Sequence, residues 1–481
     1  MKSCANARAL FRWAAALVAV SGASAGDLLP PAGPIASTMK TLAQVEPRTP
    51  ISSATTPGDG DSLYKITQPG SYYLTGNVQG VAGKMGVEVV ASHVTIDLRG
   101  FELVGVAGSL AGIDINNGAV GTLFGITIRN GTLRGWGNDG IKGDQSGSDE
   151  FSGLVITQIT GNGISVNTSS LIENCRISSC SINGIATSNN VLIRNTVAGG
   201  NGANGIAAGT NSNIMNCEGY INNAGGIVVL GGRGTISNCN ATLNNGDGIS
   251  AGDGGIVSNC HSNQNNVGIV VGEGGLIAQC SANDNRSSGF SAGSTSTVVS
   301  CSAWSNDIDG ISVGESTVSG CTARENGDDG ISATGNSLIE NCTVTANSDD
   351  GIVTTIGGTV RGCNVVNNVH DGIQCSSDCR IVDNHCDNNG SGTNDGAGIF
   401  ATGSDNRIDG NSVTDADRGI DVNGTGNLIL RNSCAGNTIN YEIAASNKVA
   451  PIVLAPDSVA ISGDTGGAGV GTTNPWANLS Y

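Results

Sequence analysis

The sequence predicts an all-β fold, a β-solenoid of stacked parallel coils, and three observations predict it. A Gly-Ile pair recurs every 20 to 22 residues through the middle of the chain. Two further columns, one of Cys and one of Asn, keep the same phase. Between Pro69 and Pro451 there is no proline, as expected where nearly every backbone N–H serves a sheet ladder. The 481 residues would suggest about three globular domains. A repeat overrides that estimate, because a solenoid grows by adding coils.

The Gly-Ile column runs through Ile113, Ile141, Ile164, Ile185, Ile206, Ile227, Ile249, Ile269, Ile311, Ile331, Ile352, Ile373, Ile399 and Ile420, with Phe290 standing in once. The Cys column runs from Cys175 through Cys217, Cys239 and Cys260 to Cys363, with Thr196 in one gap. Five residues after each lies Asn, from Asn201 to Asn368, except that Cys180 takes the place after Cys175. Such a unit holds three short strands and three turns, too little to bury a core alone. Stacked on parallel copies, its inward Ile, Val and Cys close a continuous core. The expectation is a single-stranded right-handed parallel β-helix of about 15 coils of about 21 residues, with rungs about 4.8 Å apart. A leucine-rich repeat would show a Leu-x-x-Leu-x-Leu frame, and none is present. Stacked Asn at a corner tolerates left-handed backbone and hydrogen-bonds its copies above and below.

The flanks read differently. Residues 1–25 look like a cleavable signal peptide. Lys2, Arg8 and Arg12 precede a short apolar run, and Ala23-Ser24-Ala25 fits a cleavage site after Ala25. Export to the medium or cell surface follows as an expectation. Residues 26–60 hold six of the ten prolines and read as a linker. Residues 61–84 are expected to cap the first coil and 85–445 to form the β-helix. Residues 446–481 are expected to cap the last coil or hang free. Caps are needed because an open parallel edge invites polymerisation. No later segment has the apolar length of a transmembrane helix.

The segment "LIENCTVTANSDDGI" (338–352) resembles the short repeat of pectate-lyase-like parallel β-helix proteins, and "RIDGNSVTDADRGI" (407–420) resembles it more closely. In the later copies Asn384, Asn411 and Asn432 stand where Cys stands earlier. The leader and tail also look like those of uncharacterised secreted bacterial β-helix proteins. The resemblance covers roughly residues 85–445 and implies the fold. It implies no single activity, since that architecture hosts lyases, hydrolases, epimerases, tailspikes and adhesins. The motif set of polygalacturonase-like hydrolases is absent. So is the Asp-Pro-His motif of alginate epimerases, of which His370-Asp371 is a faint echo.

Fourteen of the 15 cysteines lie beyond the leader. Their phasing favours free stacked thiols acting as small hydrophobes. Cys375 and Cys379 are the best disulfide candidates.

A net charge of −18 argues against nucleic-acid binding and suits cation binding or solubility. The residue before each Gly-Ile pair forms a fourth column, in which Asp309, Asp329, Asp350 and Asp371 follow one another. Stacked carboxylates repel, so they should hold a cation, calcium by their all-oxygen chemistry, or raise one another's pKa. Asp-Gly is also ordinary turn chemistry, and that reading comes first. The catalytic reading makes Asp329, Asp350 or Asp371 an acid or nucleophile beside His370. Against it, the outward residue after each Ile is small and neutral from Ala186 to Val353, with Asp114, Lys142 and Asp421 charged only at the ends. Trp136, Tyr220 and Trp304 are the candidate sugar-stacking rings. The leading function is an extracellular binding or structural surface protein, recognising glycans or calcium. The alternative is a polysaccharide lyase or hydrolase, using the Asp ridge or the loops at 116–123 and 142–153. A phage tailspike comes third.

Overall fold

In each coil three short strands alternate with sharp bends, and every strand lies parallel on its copy one coil away. A computed structural model describes residues 46–116, 118, 121–390, 395–454 and 474–481. The proposed leader and most of the proline-rich stretch lie outside the described residues. From Arg48 to Tyr481 the chain forms one unit. It is a parallel β-solenoid, and the described residues contain no helix.

The coil at 331–351 shows the rule. Its strands are Ile331–Ala333, Leu338–Glu340 and Thr343–Thr345. Ile331 lies between Ile311 and Ile352, Ile339 between Val318 and Val360, and Val344 between Ala323 and Val365. All three are fully buried. Burying each such side chain contributes about 1.5–3 kcal/mol. The chain turns between the second and third strands at Asn341, whose φ is 54°, and after the third at Ala346, at 58°. Asn174, Asn195, Asn216, Asn238 and Asn259 hold the same bend with positive φ, which Asn accepts at little cost; the stacked column Asn201–Asn368, expected to be left-handed, is not.

Two side-chain ladders run along the corners. The Cys239 N–H donates to Cys260 Sγ at 3.4 Å, and Cys217 and Cys301 repeat the contact with their next copies. Thr196 Oγ1 accepts from the Cys175 N–H at 3.3 Å, and Asn384 Oδ1 from the Cys363 N–H at 3.0 Å. Cys, Thr and Asn interchange at this corner because each offers a compact acceptor to a buried N–H. In the Asn column, Asn222 Nδ2 donates to Asn244 Oδ1 and Asn244 to Asn265, both at 2.9 Å.

Among the described residues the Gly-Ile column contains 18 strands, from Ser62–Ile66 to Ile439–Ile443. That exceeds the expected 15 or so. In the extra rungs Tyr64, Val87 and Tyr441 take the Ile position, which hides them from a motif count. Residues 61–84 hold strands Ser62–Ile66, Gly70–Tyr73 and Val78–Gln79, each in parallel register with the coil that follows. At the other end Asn478–Ser480 pairs with both Ile452–Leu454 and Ser433–Ala435. Asn478 Oδ1 accepts from the Asn432 N–H at 3.0 Å, extending the corner ladder.

Candidate functional site

The outward face of the Gly-Ile strands changes character near its C-terminal end. Val353, Gln374, Phe400, Asp421 and Glu442 stand in register, one per rung. The column before Gly continues past Asp371 to Ala397 and then Arg418, which pairs in register with Ala397. A hollow lies beside these rungs, between the acidic column and Arg418.

Arg418 organises that hollow. Its Nε lies 2.6 Å from Glu442 Oε2, and its Nη1 lies 2.6 Å from Asp395 Oδ1 and 3.6 Å from Asp421 Oδ2. Asp421 is buried, and its Oδ1 has no hydrogen-bond partner. Burial raises its pKa, while Arg418 opposes the rise. A cavity of about 220 Å³ opens here, lined by His370, Phe400, Arg418, Asp421, Asn423 and Glu442, with Asp395 at its edge.

The Asp ridge leads into this cavity. Asp329 Oδ1 accepts from the Asp350 N–H at 3.3 Å, Asp350 Oδ1 from the Asp371 N–H at 2.7 Å, and Asp371 Oδ1 from the Ala397 N–H at 2.7 Å. Asn162, Asn183 and Asn204 make the same ladder in earlier coils. One oxygen of each of these aspartates thus serves the backbone, as turn chemistry requires. The ridge is also strained electrostatically. Burial, with Asp328 adding, lifts Asp309 to about 6. Burial, then the charges of Asp350 and Asp309, lifts Asp329 to about 8. Burial lifts Asp371 to about 7 against the pull of the Ala397 N–H. Asp350 is raised for the same reason. Burial disfavours charge on His370, but Asp371, Asp350 and Asp349 outweigh it and raise its pKa.

The four ridge aspartates proposed as calcium ligands run along the coil axis rather than around a point. Groups of three ligand atoms within 4.8 Å form at Asp349, Asp350 and His370, and at Asp328, Asp329 and Asp349. Neither Asp309 nor Asp371 joins either group.

The aromatic candidates separate. Trp136 is not a surface ring. It is fully buried in the early coils and donates from Nε1 to the Leu103 carbonyl at 3.1 Å. An indole with a buried partner for its N–H is core. Tyr220 is half-buried and lies against Gly199, where any side chain would strike its ring. Trp304 is 37 % exposed, with Arg324 stacked 5.0 Å from the ring and Nε1 bonded to Glu325 at 2.9 Å. Neither ring shares the cavity at Arg418.

The looped early coils bring less together. Gly121, Asp144, Gln145 and Asn167 line a hollow of about 340 Å³ whose single charged side chain is Asp144. A hollow of about 360 Å³ beside Ser148 and Leu192 holds Asp149 and Glu150 as its only charged groups. Cys375 and Cys379 stand as separate buried thiols, as do all fourteen cysteines of the described residues.

Sequence reasoning missed Phe400, Arg418, Asp395 and Glu442. Two more steps along the fourth column, across the 26-residue spacing from Ile373 to Ile399, reach Ala397 and Arg418.

Among the described residues the molecule is thus a parallel β-solenoid whose flank is small and neutral through its middle coils, with a mixed-charge cavity at Arg418. The family model of the right handed beta helix region matches residues 162–303, 204–356 and 292–439, together more than half of the chain. The chain belongs to that family. No curated protein sequence matches it. Among solved structures it is similar to the A-module of the mannuronan C-5 epimerase AlgE4 of Azotobacter vinelandii, at 15% identity over 75% of this chain and 90% of that one, with a TM-score of 0.26. The periplasmic alginate epimerase AlgG is 13% identical over 64% and 73%, with a TM-score of 0.32. Tailspike protein 3 of bacteriophage CBA120 is 13% identical over 83% and 59%, also at 0.32. Superpositions at that level carry no argument about this chain's chemistry.

Proposed function

We propose that this protein is exported and binds an extracellular polysaccharide in the cavity around Arg418. The observation that carries the reading is the convergence of Phe400, Arg418, His370, Asp421 and Glu442 on a face that is small and neutral from Ala186 to Val353. A sugar ring offers an apolar face and a rim of hydroxyls. Phe400 supplies a surface for the first. Arg418 and His370 donate to the hydroxyls, and Asp421 and Glu442 accept from them. Parallel rungs about 4.8 Å apart also suit an extended chain of sugar units. Calcium belongs to the same reading, held by the all-oxygen group Asp328, Asp329 and Asp349 beside the ridge.

A second reading, a polysaccharide lyase or hydrolase, is favoured by Asp371 and His370. A carboxyl lifted to about 7 beside an imidazole is a general acid beside a general base. Both readings are tested by incubating the mature chain with acidic and neutral polysaccharides, with and without calcium. Retention on an immobilised glycan without new reducing ends or unsaturated products supports binding. Product that disappears in Asp371→Asn supports the enzyme. A folded chain that neither retains nor cleaves any glycan sinks both.

A further inference from the structure

Three carboxylates from two successive coils gather around one imidazole. His370 Nδ1 lies 3.1 Å from Asp350 Oδ1, 3.6 Å from Asp349 Oδ1 and 3.8 Å from Asp371 Oδ2. Ligand atoms held about 2.0–2.2 Å from a tetrahedral ion stand roughly 3.3–3.6 Å apart, so these separations bracket the edge of such a site. Clustered carboxylates alone do not make one. The independent observation is Asp371. It is 1 % exposed, its Oδ1 accepts from the Ala397 N–H, and its Oδ2 is buried without any hydrogen bond. That oxygen faces His370 Nδ1. A buried carboxylate oxygen with no donor is costly, and a cation between it and the imidazole removes the cost.

The surroundings hold the ligands in place. Gln374 Nε2 donates to Asp350 Oδ2 at 2.6 Å, and the Asp371 N–H fixes Asp350 Oδ1. Partners of this kind orient the ligands of a metal. The His370 side chain is 40 % exposed and that of Asp349 52 %, so the site opens to solvent.

We propose that Asp349, Asp350 and His370 bind a divalent first-row transition-metal ion, His370 through Nδ1, with the buried Asp371 Oδ2 facing it from the coil that follows Asp350. The nitrogen sets the class of ion. Calcium and magnesium take oxygen ligands, whereas imidazole suits zinc, cobalt and their neighbours. The site shares Asp350 and Asp371 with the ridge and His370 with the cavity at Arg418, but its nitrogen ligand separates it from an all-oxygen calcium site, and metal binding is read without any glycan present.

The test titrates the tag-free, chelator-treated full chain with cobalt(II) and follows its visible absorption, with zinc and calcium as competitors. One equivalent of cobalt should bind, zinc should displace it, and excess calcium should not. His370→Ala should weaken binding by at least about tenfold. Asp349→Asn, a change at an exposed position, should weaken it too while leaving the circular dichroism unchanged, so the test survives a folding defect in the first variant. A folded wild-type chain that gives no cobalt spectrum overturns the proposal. So does a spectrum unchanged in both variants, or equal displacement by calcium.

Discussion

At the residue scale the informative side chains are polar groups that the coil forces to be buried. Asp309, Asp329 and Asp371 rise to about 6, 8 and 7, against about 3.9 in an unfolded chain. A carboxyl raised on folding favours the folded state below its unfolded value, and that contribution is lost as pH rises through the folded one. The melting temperature should therefore fall between about pH 4 and pH 8. Asp329→Asn should flatten that slope, because Asn makes the same backbone contact at Asn162 and Asn183. We expect the variant to be more stable by on the order of 1 kcal/mol at pH 8 and unchanged at pH 4. Thermal melts across that range check it, and a wild-type melt that rises with pH would contradict it. The Cys corner gives a second prediction. Cys239→Ala leaves the Cys217 N–H without its acceptor and should cost about 1–3 kcal/mol. Cys239→Thr should cost less, since Thr196 already fills that role. Equal losses in urea unfolding would show that volume alone matters there.

At the element scale, the coil was legible in the sequence wherever its residues obey one rule. Ile at the inward start of the first strand and Asn or Cys at a corner are dictated by burial and bend geometry, so they recur and can be counted. Tyr64, Val87 and Tyr441 meet the same burial demand with other shapes and escaped the count. The candidate site was half legible. The Asp ridge belongs to the repeat and was visible as a column. Phe400 and Arg418 were not, because outward residues have no partner in the coil to constrain them and so follow no column rule. Trp136 failed differently. A single indole looks the same in sequence whether it faces water or, as here, Leu103. The terminal strand carries its own prediction. Asn478–Ser480 covers the edge of the last coil, Tyr441 Oη donates to the Leu479 carbonyl at 2.9 Å, and Arg431 stacks on Trp476. Deleting residues 474–481 exposes an unpaired parallel edge. The truncated chain should melt lower and form higher oligomers by light scattering, and a monomeric chain of unchanged stability would show that the strand covers nothing essential.

At the scale of the whole molecule, the solenoid is a long scaffold whose flank is chemically quiet over most of its length. Two places on the Gly-Ile face are charged. The early one pairs Lys65 with Glu88 at 2.9 Å and holds Asp114 beside Lys142, where burial lifts Asp114 to about 6. The late one is the cavity at Arg418, which alone adds an aromatic ring. Glycan affinity therefore should reside in one short stretch of the face, not along all of it. The most direct measurement is calorimetric titration of the polysaccharide that the chain retains best into wild type, Phe400→Ala, Arg418→Ala and Trp304→Ala. Losing a stacking ring is worth roughly 0.5–1.5 kcal/mol beyond its buried area, so Phe400→Ala should weaken binding about tenfold, Arg418→Ala at least as much, and Trp304→Ala not at all. Binding that survives both of the first two changes, or that vanishes with Trp304→Ala alone, would contradict the account and move the site off the Gly-Ile face.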